Sequence, residues 1–410
     1  MPYLIFEDSL RVDLLPITFS RPAFMIRMGI FTSKERWEKV LGSSCYPLAY
    51  SYLQGLFTEV FKADTYTCIN GRLLPSEELV RLSRELEPQK YYTDAEGHIL
   101  LTSIPLDADS LPPKGVITRE YLDSLGYEEV LTAISPNIIS SLSDIFSLNR
   151  EFIHFDFKLV TQQGKSQPIK DPHTKVYAQD NLFVEEGANI KAAIINAENG
   201  PVYIGKHAEV QEGALIRGNH IICMYARVNM GTRLRGDTSL GPHAKVGGEV
   251  TNSVIHSYSN KSHEGYLGNS VMGSFCNLGA DTNVSNLKNT YGSVKQWSYR
   301  SGRLEHTGKT FCGAVMGDHT KTGINTMLNT GTVIGYSGNV FGAGYPDKFI
   351  PSFSWGGAEG FTTYELDKAM EVATTVKSRR NLPLNHAEQK MMEEIYTRTA
   401  AYRHWEREKV

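Results

Sequence analysis

Apolar and polar positions in the middle of the chain follow a six-residue step. From Ile204 the step lands on Val210, Ile216, Ile222, Val228, Leu234, Leu240 and Val246, and upstream Val184 and Ile190 show the same six-residue step, offset by two residues. After a slip of two residues it resumes as Val254, Asn260, Tyr266, Met272, Leu278 and Val284. It then breaks over a polar stretch at about 285–310 and returns as Met316, Thr322, Leu328 and Ile334. A helix repeats every 3.6 residues and a half-buried strand every two, so neither alone produces this pattern. A triangular parallel β-helix does. Three short strands make a coil of about 18 residues, each strand turns one aliphatic rung inward, and coils stack at strand spacing, about 4.8 Å. Glycines follow several rungs, at Gly205, Gly241, Gly247, Gly279 and Gly335, which suits a chain that turns sharply after each strand. The polar stretch is too long for one corner and is expected to loop out. Most parallel crossovers are right-handed, hexapeptide solenoids are the left-handed exception, and periodicity alone does not set the hand.

The flanks have other periods. Residues 1–170 alternate short β-type runs (Tyr3–Phe6, Tyr66–Ile69, His154–Val160) with helix starts. Thr32-Ser33-Lys34-Glu35 forms a capping box ahead of Trp37, Val40 and Leu41, and Ser76 caps a run with Leu79, Leu82 and Leu86. Residues 364–405 have helical spacing, interrupted at Pro383. The expected organisation is an α/β N-terminal domain over 1–170, a parallel β-helix over 176–336, and a C-terminal extension over 337–410 that is largely helical from about 364. The Gly-, Ser- and Pro-containing segment around 164–173 is the linker.

Composition narrows the function classes. Lys plus Arg number 42 and Asp plus Glu 45, a net charge of −3, which provides no overall field for nucleic acid or an anionic membrane. Phosphate recognition, where present, is therefore local. The five cysteines are widely separated and include no Cys-x-x-Cys pair, which argues against a disulfide framework or a zinc knuckle and for a reducing cytoplasm. No run reaches the length of about 18 apolar residues that a membrane span needs. Gly200 to Lys206 has the spacing of a phosphate loop, but His207 stands where Ser or Thr holds magnesium, and the segment lies in the six-residue ladder.

Candidate chemistry concentrates in the ladder. Arg233-Leu234-Arg235-Gly236, then Ser262-His263-Glu264-Gly265-Tyr266-Leu267-Gly268, then Asn277-Leu278-Gly279-Ala280-Asp281-Thr282 and Ser285-Asn286, resemble the acyltransferase domain of the GlmU type, the bifunctional enzymes that make UDP-N-acetylglucosamine. Gly317-Asp318-His319-Thr320-Lys321-Thr322-Gly323-Ile324-Asn325 resembles archaeal sugar-1-phosphate nucleotidylyltransferases that carry the same solenoid. The resemblance implies a left-handed β-helix, acetyl-CoA as acyl donor, a hexosamine 1-phosphate as acceptor, and a homotrimer with the CoA site between subunits. It also implies His263 as base, Arg233 and Tyr266 on the sugar phosphate, and Asn277 and Asn286 orienting sugar or thioester. Lys288 joins the substrate side, and Ala280, Asp318 and Lys321 the CoA side. The residue types suit that chemistry. An attacking amine arrives as an ammonium and must lose a proton, and a positioned imidazole speeds such a step by roughly 10²–10⁴-fold. The other role for His263 is a solenoid corner residue bonded to a neighbouring carbonyl.

Two departures stand out. The family pattern has a lysine two residues after the glutamate matching Glu249, where this chain has Thr251, and Lys288 or Lys261 are candidate replacements. The family's Gly-Ala-Gly run is here Gly279-Ala280-Asp281. Over 285–310, Lys288, Lys295, Arg300, Arg303 and Lys309 alternate with Tyr291, Trp297 and Tyr299, a mix able to clasp a nucleotide tail such as that of CoA, or simply a solvated loop.

The stretch from Asp8 to Pro22 resembles a degenerate opening loop of sugar nucleotidylyltransferases. Arg11 matches the loop arginine and Leu15-Pro16-Ile17-Thr18 the next segment, but no glycine precedes Arg11, and Ala23 replaces the lysine after Arg21-Pro22. The family's Asn-Gly-Asp turn, whose aspartate holds Mg²⁺, is here Asn70-Gly71-Arg72. The resemblance implies possible nucleotidyl transfer here, from a nucleoside triphosphate to a sugar 1-phosphate with Mg²⁺, and the residues add the expectation of nucleotide or nucleotide-sugar binding through Arg11, Arg21 and Arg72, with turnover weak or absent unless Asp8 or Asp13 holds the metal. The competing reading of the whole chain is a non-catalytic nucleotide-sugar binding or scaffold protein on the same architecture.

Overall fold

The computed structural model describes residues 2–61, 64–106 and 111–406. It divides into one unit of Met1–Leu14, Ser20–Ile26 and Phe31–Ser140, and another of Leu15–Phe19, Arg27–Ile30 and Ser141–Val410.

The first unit is α/β. Tyr3–Phe6 lies between Cys45–Leu48 and Asp64–Asn70, parallel to both. The sheet continues antiparallel through Ile99–Leu106 to Lys90–Thr93 and ends on Glu128–Leu131. Leu4, Ile5 and Phe6 are wholly buried, as befits an unbroken apolar strand covered on both faces. The helix Ser33–Leu41 begins at its capping box, where Thr32 accepts from the Glu35 N–H and Glu35 from the Thr32 N–H, and it stops at Gly42 with φ 64°. Ser76 caps Glu77–Arg84 in the same way, accepting from Leu79.

The second unit contains the solenoid, whose coils present three faces in turn. Nine strands from Leu182–Val184 to Phe349–Ile350 form the first face. The second runs from Asn189–Ile190 to Asn260–Lys261, bridges through Asn277, and continues from Lys321–Thr322 to Ser354–Gly357. The third runs from Lys175–Tyr177 to Tyr266–Gly268, followed by Asn283–Val284 and Met327–Leu328. The ladder thus continues past 336, and the helices Leu366–Ser378 and His386–Thr399 follow it, with Pro383 between them.

Rungs from Ile204 to Val246 turn inward as the six-residue step requires. Beyond Val246 the phase differs from the expected one: the inward residues are Val250, Ile255, Lys261 and Leu267, so Val254, Asn260 and Tyr266 each sit one place off. The cause is corner length. Four residues separate Arg227–Val228 from Arg233–Arg235, but only Gly247 and Gly248 separate Lys245–Val246 from Glu249–Thr251. Side chains cannot be spared at this short corner, because a Cβ on Gly247 would come within 2.2 Å of the Ser262 carbonyl oxygen.

Two further differences concern short segments. His154–Val160, expected as a strand, lies within the helix Asn149–Gln163, which buries Phe152, Ile153 and Asp156 on one face. A short apolar run does not by itself separate strand from helix. The polar stretch does loop out, as an antiparallel hairpin of Lys295–Ser298 with Arg303–His306.

The corner between first and second faces carries a column absent from the six-residue reading. His207, Tyr225, His243, Tyr258, Phe275 and His319 stack ring on ring, with successive centroids 5.1, 4.9, 4.8, 4.9 and 5.1 Å apart. All six have φ between 55° and 65°, a region where side chains other than Gly are disfavoured, and ring stacking offsets part of that cost. Replacing Leu234, a fully buried rung, by Ala is expected to lower the unfolding free energy by about 2–5 kcal/mol. Denaturant unfolding of the intact chain measures it, and a loss below about 1 kcal/mol is incompatible with an inward rung.

Candidate functional site

Stacking in register builds the site from residues one coil apart. On the third face Arg233, Glu249 and Tyr266 occupy one outward column, and Arg235, Thr251 and Gly268 the other. The Arg233 guanidinium lies 3.1 Å from Glu264 and 3.8 Å from Glu249, and Arg235 pairs with Glu249 as well. Glu249 is therefore held between two arginines.

Tyr266 is fixed at both ends. Its N–H donates to Asn283 Oδ1 at 2.8 Å, and its hydroxyl accepts from Asn286 Nδ2 at 3.0 Å, a nitrogen that also donates to Asn269 Oδ1 at 2.8 Å. The phenol ring lies back over Gly268: a Cβ there would meet Tyr266 Oη at 2.3 Å and Asn286 Nδ2 at 2.7 Å. Burial pushes the Tyr266 hydroxyl above the ordinary phenol range, so it is a neutral donor at pH 7.

His263 is exposed on the corner between the second face and the third. Below it, the Asp281 N–H donates to the Glu264 carbonyl and the Asn325 N–H to the Ala280 carbonyl, which stacks His263, Ala280 and Ile324 down one corner. Asn277 is exposed on the second face, its backbone bridging Asn260 and Lys321. Two consecutive coils thus place His263 and Ala280 at one corner, Asn277 on the face before it and Tyr266 on the face after it, while Asn286 and the Tyr266 hydroxyl meet Asn269 at the far end of that third face, which also carries Arg233 and Arg235.

Other expected residues lie elsewhere. Asp318 is nearly buried at the opposite corner, where it accepts from the Ser274 N–H at 2.7 Å. Lys321 Nζ folds back to the His319 carbonyl at 2.9 Å, and burial lowers its pKa. Both belong to the corner with the aromatic column, not to that of Ala280. Lys261 does not replace the missing phosphate-holding cation, because it points into the prism and donates to backbone carbonyls. Lys288 Nζ approaches the Ser293 carbonyl at 3.4 Å. Two of the three aromatic rings expected to clasp a nucleotide are engaged in the fold, Trp297 stacking on Phe349 at 4.0 Å and buried Tyr299 packing edge-on against Phe19, Phe349 and Tyr402, while Tyr291 is exposed. Sequence reasoning missed Arg235 as a partner of Glu249, although the alternation Arg-Leu-Arg in a strand puts both arginines on the outer face.

In the first unit the charges expected to meet phosphate or metal meet each other. Arg72 Nη2 lies 2.6 Å and Nε 3.2 Å from the two Asp8 oxygens, and Nη1 donates to the Ile139 carbonyl at 2.7 Å. Asp8 also accepts from Asn70 Nδ2 at 2.8 Å and the Leu10 N–H at 3.0 Å. Arg11 pairs with Glu7 at 3.2 Å and lies over the Tyr50 ring, and Glu7 accepts in addition from the N–H groups of Ala23 and Tyr50. The four charged side chains are buried. Asp8 does not fit a Mg²⁺ site, since a guanidinium fork already occupies both oxygens. The expectation of Arg11 and Arg72 as nucleotide-binding cations is corrected accordingly: both neutralise carboxylates inside the fold.

Residues 3–165 match the sugar nucleotidyl transferase family model. Parts of the chain are also similar to GlmU-type proteins. The chain is 32% identical over 168 residues to a bifunctional sugar-1-phosphate nucleotidylyltransferase/acetyltransferase of Sulfurisphaera tokodaii, covering 40% of this chain and 39% of that one. It is 36% identical over 87 residues to bifunctional protein GlmU of Methanocaldococcus jannaschii, 21% of each chain, and 34% over 119 residues to that of Methanococcus vannielii, 29% and 26%. The chain therefore spans well under two thirds of the length of these relatives. A solved UDP-N-acetylglucosamine acyltransferase of Francisella novicida is similar over 54% of this chain and 78% of its own, at 16% identity and a TM-score of 0.25. The fold assignment rests on the strand pairing and not on that likeness. No helix among the described residues is long and apolar enough to cross a membrane.

Removing Arg72 tests the reading of its site. Arg72→Met leaves the Asp8 carboxylate buried without its cation and is expected to cost about 3–5 kcal/mol of stability, most of it recovered by adding Asp8→Asn. Urea unfolding measures both, and an Arg72→Met variant of unchanged stability would return Arg72 to the list of ligand-binding groups.

Proposed function

We propose that the protein is a transferase of nucleotide-sugar metabolism that moves the acetyl group of acetyl-CoA to the amine of a hexosamine 1-phosphate at the His263 corner. The observation that supports this reading is the placement of His263, Tyr266, Asn277 and Asn286 on two consecutive coils, with Tyr266 bonded to Asn286 on the face that carries Arg233 and Arg235. In this reading the arginines hold the sugar phosphate, and Tyr266 with Asn286 orients the sugar ring. His263 takes the ammonium proton. The freed amine attacks the thioester carbonyl, a C–N bond forms, the C–S bond breaks, and CoA leaves as thiolate that regains a proton from the imidazolium. Asn277 and Ala280 line the approach of the thioester.

The first unit is proposed to bind a nucleotide or nucleotide sugar, Arg21 being its remaining expected contact. Nucleotidyl transfer there is supported by the family match over residues 3–165, but Asp8 offers no metal site for it, and no such step is assigned. The functional form in this reading is a cytoplasmic homotrimer, with the acetyl-CoA site shared between subunits. Five buried free thiols suit a reducing compartment.

His263→Ala is expected to lower CoA release on a panel of hexosamine 1-phosphates at least about tenfold, with an unaltered circular-dichroism spectrum. Unchanged turnover would reduce His263 to a corner residue. Sedimentation is expected to give a trimer, and a stable monomer removes the shared site. Pyrophosphate release from UTP or dTTP, followed separately, is expected to be weak or absent.

A further inference from the structure

The coil that carries His263 has a lysine at its second-face rung. In register with it, the same face places Ile190, Val210, Val228 and Val246 on one side and Leu278, Thr322 and Val340 on the other. Among the described rungs of all three faces, Lys261 is the one that bears a charge, and it is only 2% exposed. A charge inside an apolar prism is expensive unless hydrogen bonds satisfy it. Here they do: Nζ donates to the His263 carbonyl at 2.6 Å and to the Glu264 carbonyl at 3.2 Å. Both acceptors belong to the corner on which the candidate base sits.

We propose that Lys261 is a positioning residue: from inside the prism its ammonium holds the carbonyls of His263 and Glu264, and so sets the direction in which the corner presents the imidazole. The inference rests on the reading of His263 as proton acceptor. An aliphatic rung would fill the same space, so packing does not call for a lysine here, whereas tying two successive corner carbonyls from within does.

The clamp is sensitive to pH. Burial pushes the Lys261 pKa down to about 8 from the ordinary 10.5, against the pull of Glu264 and Asp281 and with the push of Arg233. Because the folded-state value is the lower one, stability rises as pH climbs from about 8 towards 10.5, while the charge that holds the corner is lost over the same window. Activity and stability should therefore move in opposite directions there.

Full-length Lys261→Met and Lys261→Arg are compared with the unmodified protein by amide hydrogen exchange over residues 262–266 and by steady-state acetyl transfer from pH 6.5 to 9.5. Lys261→Met is expected to keep the oligomer and a thermal midpoint equal to or above that of the unmodified protein. Its corner amides should exchange about tenfold faster, and kcat should fall about tenfold while KM for acetyl-CoA changes less than about threefold. Lys261→Arg should regain part of the loss, and the alkaline fall in kcat near pH 8 should vanish in Lys261→Met. Unaltered kcat, or a kcat loss without faster exchange, overturns the proposal. If the unmodified protein transfers no acyl group to any acceptor, the functional reading fails instead, and exchange alone decides the clamp. If Lys261→Met does not fold, the unmodified protein decides: its corner amides, corrected for intrinsic rates, must lose protection above pH 8.

Discussion

Everything in the second unit depends on hydrogen bonding between coils. Each backbone segment pairs in register with the segment one coil away, so a side chain has no freedom to sit anywhere but above and below its counterparts. Columns follow. Val228, Val246 and Lys261 form one, His243, Tyr258 and Phe275 another, and Arg233, Glu249 and Tyr266 a third. The inward columns supply stability through apolar burial, and the outward columns and corners remain available for chemistry. A site on such a scaffold is assembled from residues about one coil apart in sequence, without any loop having to fold over it.

The same constraint explains what was legible from the sequence. A period imposed by stacking appears in the sequence wherever corners keep one length, which is why the run from Ile204 to Val246 reads without error. It fails where a corner shortens: Val254, Asn260 and Tyr266 continued a six-residue count that the two-residue corner at Gly247 and Gly248 had already broken. Counted in that phase, Lys261 falls on the surface, and its true place inside the prism was hidden. The stacked corner was visible in principle, since His207, Tyr225 and His243 recur at coil length, but aromatic and imidazole rings do not register in a search for aliphatic rungs.

Pairing across long separations was not legible at all. Asp8 and Arg72 stand 64 positions apart, and nothing local to either shows that the guanidinium fork closes on that carboxylate. Once it does, the end of the Tyr3–Phe6 strand contains two satisfied ion pairs, Glu7 with Arg11 and Asp8 with Arg72, in place of groups directed at phosphates. The buried charges of the first unit are thus paired with one another inside the fold. The second unit leaves His263 exposed at a corner lined by polar side chains.

In the proposed function the chemistry lies in the solenoid, where the protein engages an acyl thioester. Calorimetric titration of the intact protein with acetyl-CoA tests this most directly. Saturable binding, weakened by a bulky residue at Ala280, is the predicted result. No heat of binding at any concentration up to the millimolar range would contradict the account and leave a scaffold that has no use for CoA.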